Sequence, residues 1–166
     1  MIRILTLLVA GLVLAADRAS ALDCPAPHLC ALNGIWSVDG TAFGKPARVT
    51  MQWQPALGEK FARIDYRIVP LADDAARRIF EGIGFYRPLK DGAYDGAWFD
   101  SQGAMHPLSA TFTGDTLTTY WGVKGKTYGR TTYRLQGRDR VAVVDAIQDK
   151  RGNWKEFSRN TLKKVE

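Results

Sequence analysis

The chain is short of the residues that most often carry chemistry. Its 166 residues include two cysteines, two histidines, three methionines and four glutamates. Two cysteines cannot build the multi-bridge framework of a disulfide-stapled mini-protein. No glycine-rich phosphate loop and no paired-carboxylate motif occurs. No stretch carries apolar side chains at helical spacing over the ~10–15 residues of a crossover helix, which disfavours a βαβ architecture. Only one long uncharged apolar run is present, at the N-terminus, and Pro/Gly-rich linkers and low-complexity segments are missing.

What remains is an ordinary globular composition, 46% hydrophobic and 24% charged, with unusual extras: 16 Gly, 5 Trp, 6 Tyr and 7 Phe. Many glycines with many aromatics point to β-strands joined by tight turns. The net charge of +6 is modest. Basic residues gather in the C-terminal third, at Arg130, Arg134, Arg138, Arg140, Lys163 and Lys164. With aromatics between them they resemble a nucleic-acid face, but export argues against that partner. A solvated basic face that favours anionic surfaces such as membranes is the reading adopted.

Export is read from the first 21 residues. Arg3 supplies a basic start, Ile4 to Ala16 is uncharged and apolar, and Ala19-Ser20-Ala21 is a small-x-small cleavage site. Thirteen residues fall short of the ~20 that span a bilayer. Residues 1–21 are therefore expected to be a signal peptide, and residues 22–166 a single periplasmic or secreted domain of net charge +5. A buried N-terminal helix is the other reading of the run. A lipid anchor at Cys24 is disfavoured by the charge of Asp23. In an oxidising compartment Cys24 and Cys30 are expected to form a local disulfide, worth about 2 kcal/mol by chain entropy. A metal site on Cys24, His28 and Cys30 is the alternative, but it lacks an obvious fourth ligand.

Past Cys30 the sequence alternates. Val49, Met51 and Trp53 fall on one face of Ala47–Gln54, and Arg48, Thr50 and Gln52 on the other. Ala62, Ile64, Tyr66 and Ile68 oppose Arg63, Asp65 and Arg67 in the same way. Period two with one polar face marks half-buried antiparallel strands. Further strands are predicted at Gly34–Asp39, Arg78–Tyr86, Ala93–Phe99, Leu108–Phe112, Thr116–Trp121, Thr127–Leu135, Val141–Gln148 and Trp154–Leu162. Gly- and Asp-bearing turns separate them, the first at Asp39-Gly40, and Leu71–Arg77 is the only stretch with the look of a helical turn.

A series of about ten short strands removes its edges by closing on itself. The fold class expected is all-β: an antiparallel up-and-down β-barrel of about 8–10 strands with little helix. Gly34-Ile35-Trp36 on the first strand resembles the Gly-x-Trp signature of the calycins, the lipocalin and fatty-acid-binding-protein superfamily. That resemblance implies that Trp36 plugs the closed end of the barrel beneath an Arg or Lys near the last strand, a place that Arg159 matches by position. The loop from Thr41 to Ala47 is too short for the helical lid of fatty-acid-binding proteins. The chain is thus similar to uncharacterised bacterial secreted lipocalin-like domains.

The candidate ligand-binding residues are Trp53, Tyr66, Trp98, His106, Trp121 and Tyr133, on faces assigned inward. The barrel floor is assigned to Gly34, Trp36 and Arg159. An inward aromatic stripe is ordinary core in a filled barrel and a pocket lining in a hollow one. His106, before Pro107, is expected at a rim or turn, because proline ends a ladder. Haem ligation through His106 with the nearby Met105 is a further reading. Three functions follow. The first is an exported barrel that binds a small hydrophobic or amphipathic, lipid-like molecule, with no cofactor and no metal. The second is an enzyme with His106 as acid or base. The third is a cell-envelope interaction protein with a solid core. The sequence leaves oligomeric state open and favours a non-enzyme.

Overall fold

The structure is a computed structural model and describes residues 28–71 and 80–165. The proposed signal peptide, Cys24 and all of the candidate helical turn but Leu71 lie outside those residues.

The alternating segments form ten strands. They are β1 (Gly34–Ala42), β2 (Lys45–Ala56), β3 (Phe61–Pro70), β4 (Phe80–Pro88), β5 (Ala93–Asp100), β6 (Met105–Thr113), β7 (Thr116–Gly122), β8 (Tyr128–Leu135), β9 (Arg140–Gln148) and β10 (Trp154–Lys164). Each pairs antiparallel with the next, and β10 returns to β1, so the sheet is a closed up-and-down barrel. Every predicted strand is present. Inward residues are apolar and buried, among them Val49, Met51, Ile64, Leu117, Val141, Val143 and Leu162. The outer face is laced by cross-strand ion pairs between register partners: Asp39 with Arg48, Arg67 with Glu81, and Arg87 with Asp95. Exposed pairs of this kind contribute about 0–1 kcal/mol each and fix register more than stability.

Three local expectations are corrected. First, the chain does not turn at Asp39-Gly40. The strand runs on to Ala42, and the turn is Phe43-Gly44, where both residues have positive φ (52° and 73°), the sense that matches strand twist in a two-residue hairpin. Gly40 serves another purpose: a Cβ there would stand 2.2 Å from Asn160 Oδ1. Second, Pro107 does not end its ladder. It lies inside β6 opposite Ala97, and pairing with β5 continues through His106 to Met105. The ladder on the other side, to β7, starts at Leu108, so the missing N–H of Pro107 interrupts nothing there. Third, a short 3-10 turn over Leu29–Leu32 precedes β1 and buries both leucines.

That turn closes one end of the barrel. Trp36 is fully buried, and its indole Nε1 donates to the Leu32 carbonyl at 2.7 Å. Gly34 has φ 121°, a conformation that L side chains rarely adopt, which gives the glycine of the signature a backbone reason. The cation at Trp36 is Lys164, with Nζ 5.2 Å from the ring centre, and not Arg159. Arg159 points outward and is paired with Glu156, three residues before it. Ser158, Asn160 and Leu162 are the buried set on β10, so strand parity puts Arg159 on the opposite face.

The ladders are long except at one place. The β1–β10 register holds only Trp36 opposite Lys164 and Ser37 opposite Lys163. Beyond it, the Asn160 amide substitutes for rungs. Its Oδ1 accepts from Thr41 N–H at 3.1 Å, and its Nδ2 donates to Thr41 C=O at 2.8 Å.

Candidate functional site

Strand direction sets the two ends apart. β1 begins at the floor, so the β1–β2 turn, the β5–β6 turn, the β7–β8 turn and the β9–β10 turn all lie at the opposite end. A cavity of about 480 Å³ occupies that half. Phe43, Gln102, Thr127, Lys155 and Phe157 stand at its mouth, and Tyr66, Tyr86, Tyr133 and Asp145 lie deeper.

Five of the six predicted pocket residues line this cavity: Tyr66, Trp98, His106, Trp121 and Tyr133. Trp53 does not. It pairs with Gly34 at floor level, is 1% exposed and belongs to the core. There it packs against Tyr86 and Tyr133, at 5.2 and 5.4 Å between ring centres, and supports the tyrosines that end the cavity.

Two tryptophans make the walls, and glycines on adjacent strands make room for them. The Trp98 indole lies across Gly82 and the Trp121 indole across Gly129; a Cβ at either glycine would come within 1.9 Å of a ring atom. His106 tilts over Trp121 at 5.5 Å. Met105, its neighbour, is 71% exposed. Successive strand residues face opposite sides, so the Met105–His106 pair cannot close on one iron. At the mouth Phe43 is held at positive φ, a strained position for an aromatic, and its ring stacks on Phe157 at 5.8 Å and meets Phe80 edge-on at 6.1 Å.

The deep end is polar. Thr131 Oγ1 donates to Asp145 Oδ1 at 2.7 Å and accepts from Trp121 Nε1 at 3.2 Å. Ser158 also hydrogen-bonds Asp145, and Asn160 Nδ2 donates to Ser158 Oγ at 3.2 Å. Burial pushes the Asp145 carboxyl up to about 6, against the two hydroxyl hydrogen bonds that favour its charged form. No basic side chain among the described residues forms an ion pair with it. Burial raises the three tyrosines as well: Tyr86 to about 12, and Tyr66 and Tyr133 well above the usual phenol range, so all three remain hydroxyl donors. Tyr86 hydrogen-bonds Thr119 at 3.3 Å and also Tyr133. The Tyr66 hydroxyl is buried and has no partner.

Asp145, Tyr86, Thr131, Phe43 and Phe157 were not among the predicted site residues. For Asp145 the signal was present: in Val141–Ile147 it shares the parity of Val141 and Val143, the apolar face. Phe157 was hidden by a bulge between Glu156 and Ser158, which shifts the alternation by one residue.

No known protein-family model matches the chain, and no curated protein matches it. Among solved structures, the crystal structure of Rv2717c from M. tuberculosis is similar in fold. Its TM-score is 0.61 at 16% identity, over 85% of this chain and 99% of that one.

Proposed function

We propose that this chain is an exported, lipocalin-like binding protein that holds a small apolar or amphipathic molecule inside its barrel. In this reading residues 1–21 are removed, residues 22–166 form one domain, and a Cys24–Cys30 disulfide ties the mature N-terminus to the 3-10 turn. The observation that carries the proposal is the cavity of about 480 Å³ at the end opposite Trp36. Its volume falls in the ~300–1,000 Å³ range of small-molecule sites, and aromatic walls around a few polar groups are the usual composition of such sites. A filled interior, as a purely structural barrel requires, would have left no such space.

The test uses the glycine beneath one wall. Gly129→Ala puts a methyl where the Trp121 ring lies, and the ring swings into the cavity. A fluorescent apolar probe is expected to bind the native protein and to bind Gly129→Ala at least tenfold more weakly, about 1.4 kcal/mol. Failure of the native protein to take up any apolar or amphipathic probe removes the proposal.

The partner surface proposed for this barrel is an anionic membrane, met by the open end. Phe43, Met105 and Val123 are exposed there, beside Lys124 and Lys126 on the β7–β8 turn and Lys150 and Arg151 on the β9–β10 turn. Apolar tips among cations suit an interface of acidic headgroups, each cation near the surface contributing about 1 kcal/mol. Sedimentation with anionic vesicles is expected, falling off between 50 and about 500 mM salt as screening shortens. Equal binding to neutral vesicles contradicts the electrostatic part.

A further inference from the structure

Within the cavity one group is chemically out of place. Asp145 faces a space walled by Tyr66, Trp98, Trp121 and Tyr133, and no cation among the described residues answers its charge. A carboxylate in such surroundings is costly unless it is paired. Its two protein hydrogen bonds, from Thr131 and Ser158, are neutral hydroxyl bonds. Lys155 stands at the mouth, where its residue is exposed, and makes no ion pair with Asp145. A second, independent feature points to the same place: Tyr66 lines the cavity, and its hydroxyl is buried without a hydrogen-bond partner.

We infer that the ligand is an organic cation, an apolar body carrying a protonated amine, whose ammonium group meets Asp145 while the surrounding aromatic rings and the Tyr66 oxygen complete its shell. This deepens the binding reading above and rests on it. The chemistry is complementary on three counts. Asp145 is an acceptor with unused lone pairs, since an ionised carboxylate offers about four acceptor sites and two are taken. The faces of Tyr and Trp rings attract a cation, more strongly when water is excluded. The Tyr66 oxygen accepts an N–H as readily as it donates. An anionic amphiphile of the same shape is rejected, because its head would be driven against an uncompensated buried carboxylate. The upward shift of the Asp145 carboxyl agrees with this arrangement, since a bound cation would draw it back toward the ordinary carboxylate range.

The test is a series of three probes of equal chain length, dodecylammonium, dodecanol and dodecanoate, titrated into the native protein by calorimetry at pH 8. Dodecylammonium is expected to bind at least tenfold more tightly than dodecanol, and dodecanoate more weakly than either. In Asp145→Asn the ammonium preference over the alcohol is expected to fall to within about threefold, read as the ratio of the two affinities in the same variant. Tyr66→Phe is expected to reduce the preference without abolishing it. Native protein that binds the alcohol and the ammonium equally overturns the inference and leaves the binding reading standing. Native protein that prefers dodecanoate also overturns it. Binding of none of the three overturns both. The comparison within the native protein needs no variant, so it stands even where a substitution fails to fold.

Discussion

Asp145→Asn is expected to stabilise the ligand-free protein, and the gain should grow as pH rises from 4 to 6 and level off above that. The sign follows from linkage. In the folded protein the carboxyl titrates near 6, against 3.8 as its ordinary value. Between those values the folded state holds a proton that the unfolded state has released. Stability due to this group therefore falls as pH rises through the window and is constant on either side. A difference of that size corresponds to about 3 kcal/mol. Asparagine keeps the shape, still accepts from a hydroxyl and carries no charge to desolvate. Other carboxylates have the opposite sign: Asp39, Asp95, Asp149 and Glu156 are all held below their usual range by hydrogen bonds, Asp149 from backbone amides and the others from arginine partners. The contributions of Asp39, Asp95 and Asp149 are common to both proteins and cancel, whereas Glu156, whose charge helps to raise Asp145, is coupled to the substitution. Urea unfolding of the two at pH 3.5 and pH 8 should show Asp145→Asn more favoured at pH 8 by about 3 kcal/mol. A difference that does not move with pH means the native carboxyl is not desolvated as described.

The second large effect belongs to the floor. Trp36→Ala is expected to cost about 3–5 kcal/mol, because a fully buried indole is lost and the cavity beneath cannot refill. It also orphans the Leu32 carbonyl that the indole N–H satisfies. Trp36→Phe keeps most of the apolar volume and should cost less, isolating the hydrogen bond. Lys164→Ala removes an exposed cation over the ring and is expected to cost about 0.5–1 kcal/mol. Arg159→Ala is expected to lie within ~0.5 kcal/mol of the native protein, since an exposed pair with Glu156 is all it gives up. Denaturant midpoints of the four proteins order them. An Arg159→Ala loss as large as that of Trp36→Ala would restore Arg159 to the floor.

The strand plan was legible because period-two alternation and glycine turns are local signals. The barrel followed from edge avoidance, and part of the cavity's aromatic wall from the inward parity of Tyr66, Trp98, Trp121 and Tyr133. What was misread has physical causes. The calycin resemblance puts Arg159 at the floor by its place in the last strand, although the buried Leu162 and Asn160 fix a parity that turns it outward. Inward parity alone puts Trp53 with the pocket residues because it does not reveal depth; only its register opposite Gly34 puts it at the floor. The proline rule puts His106 at a rim or turn; it stands on β6 near the open end, within a β5–β6 ladder that Pro107 does not break. Asp145 belongs to no motif, and only its position in the Val141–Ile147 alternation sets it on the face of the buried Val141 and Val143.

The short seam between β1 and β10 gives the barrel a preferred direction of breathing. Nine junctions are stitched by long backbone ladders, one of them with a bulge at Glu156/Ser158, and widening the mouth at any of them means unzipping rungs in sequence. At the tenth, the upper half is fastened by the Asn160 amide and by the Phe43–Phe157 ring stack. Parting β1 from β10 there breaks two hydrogen bonds and one aromatic contact while every ladder stays intact. For the ligand proposed above, that side is the one where entry or exit needs only a local opening, with the floor around Trp36 undisturbed.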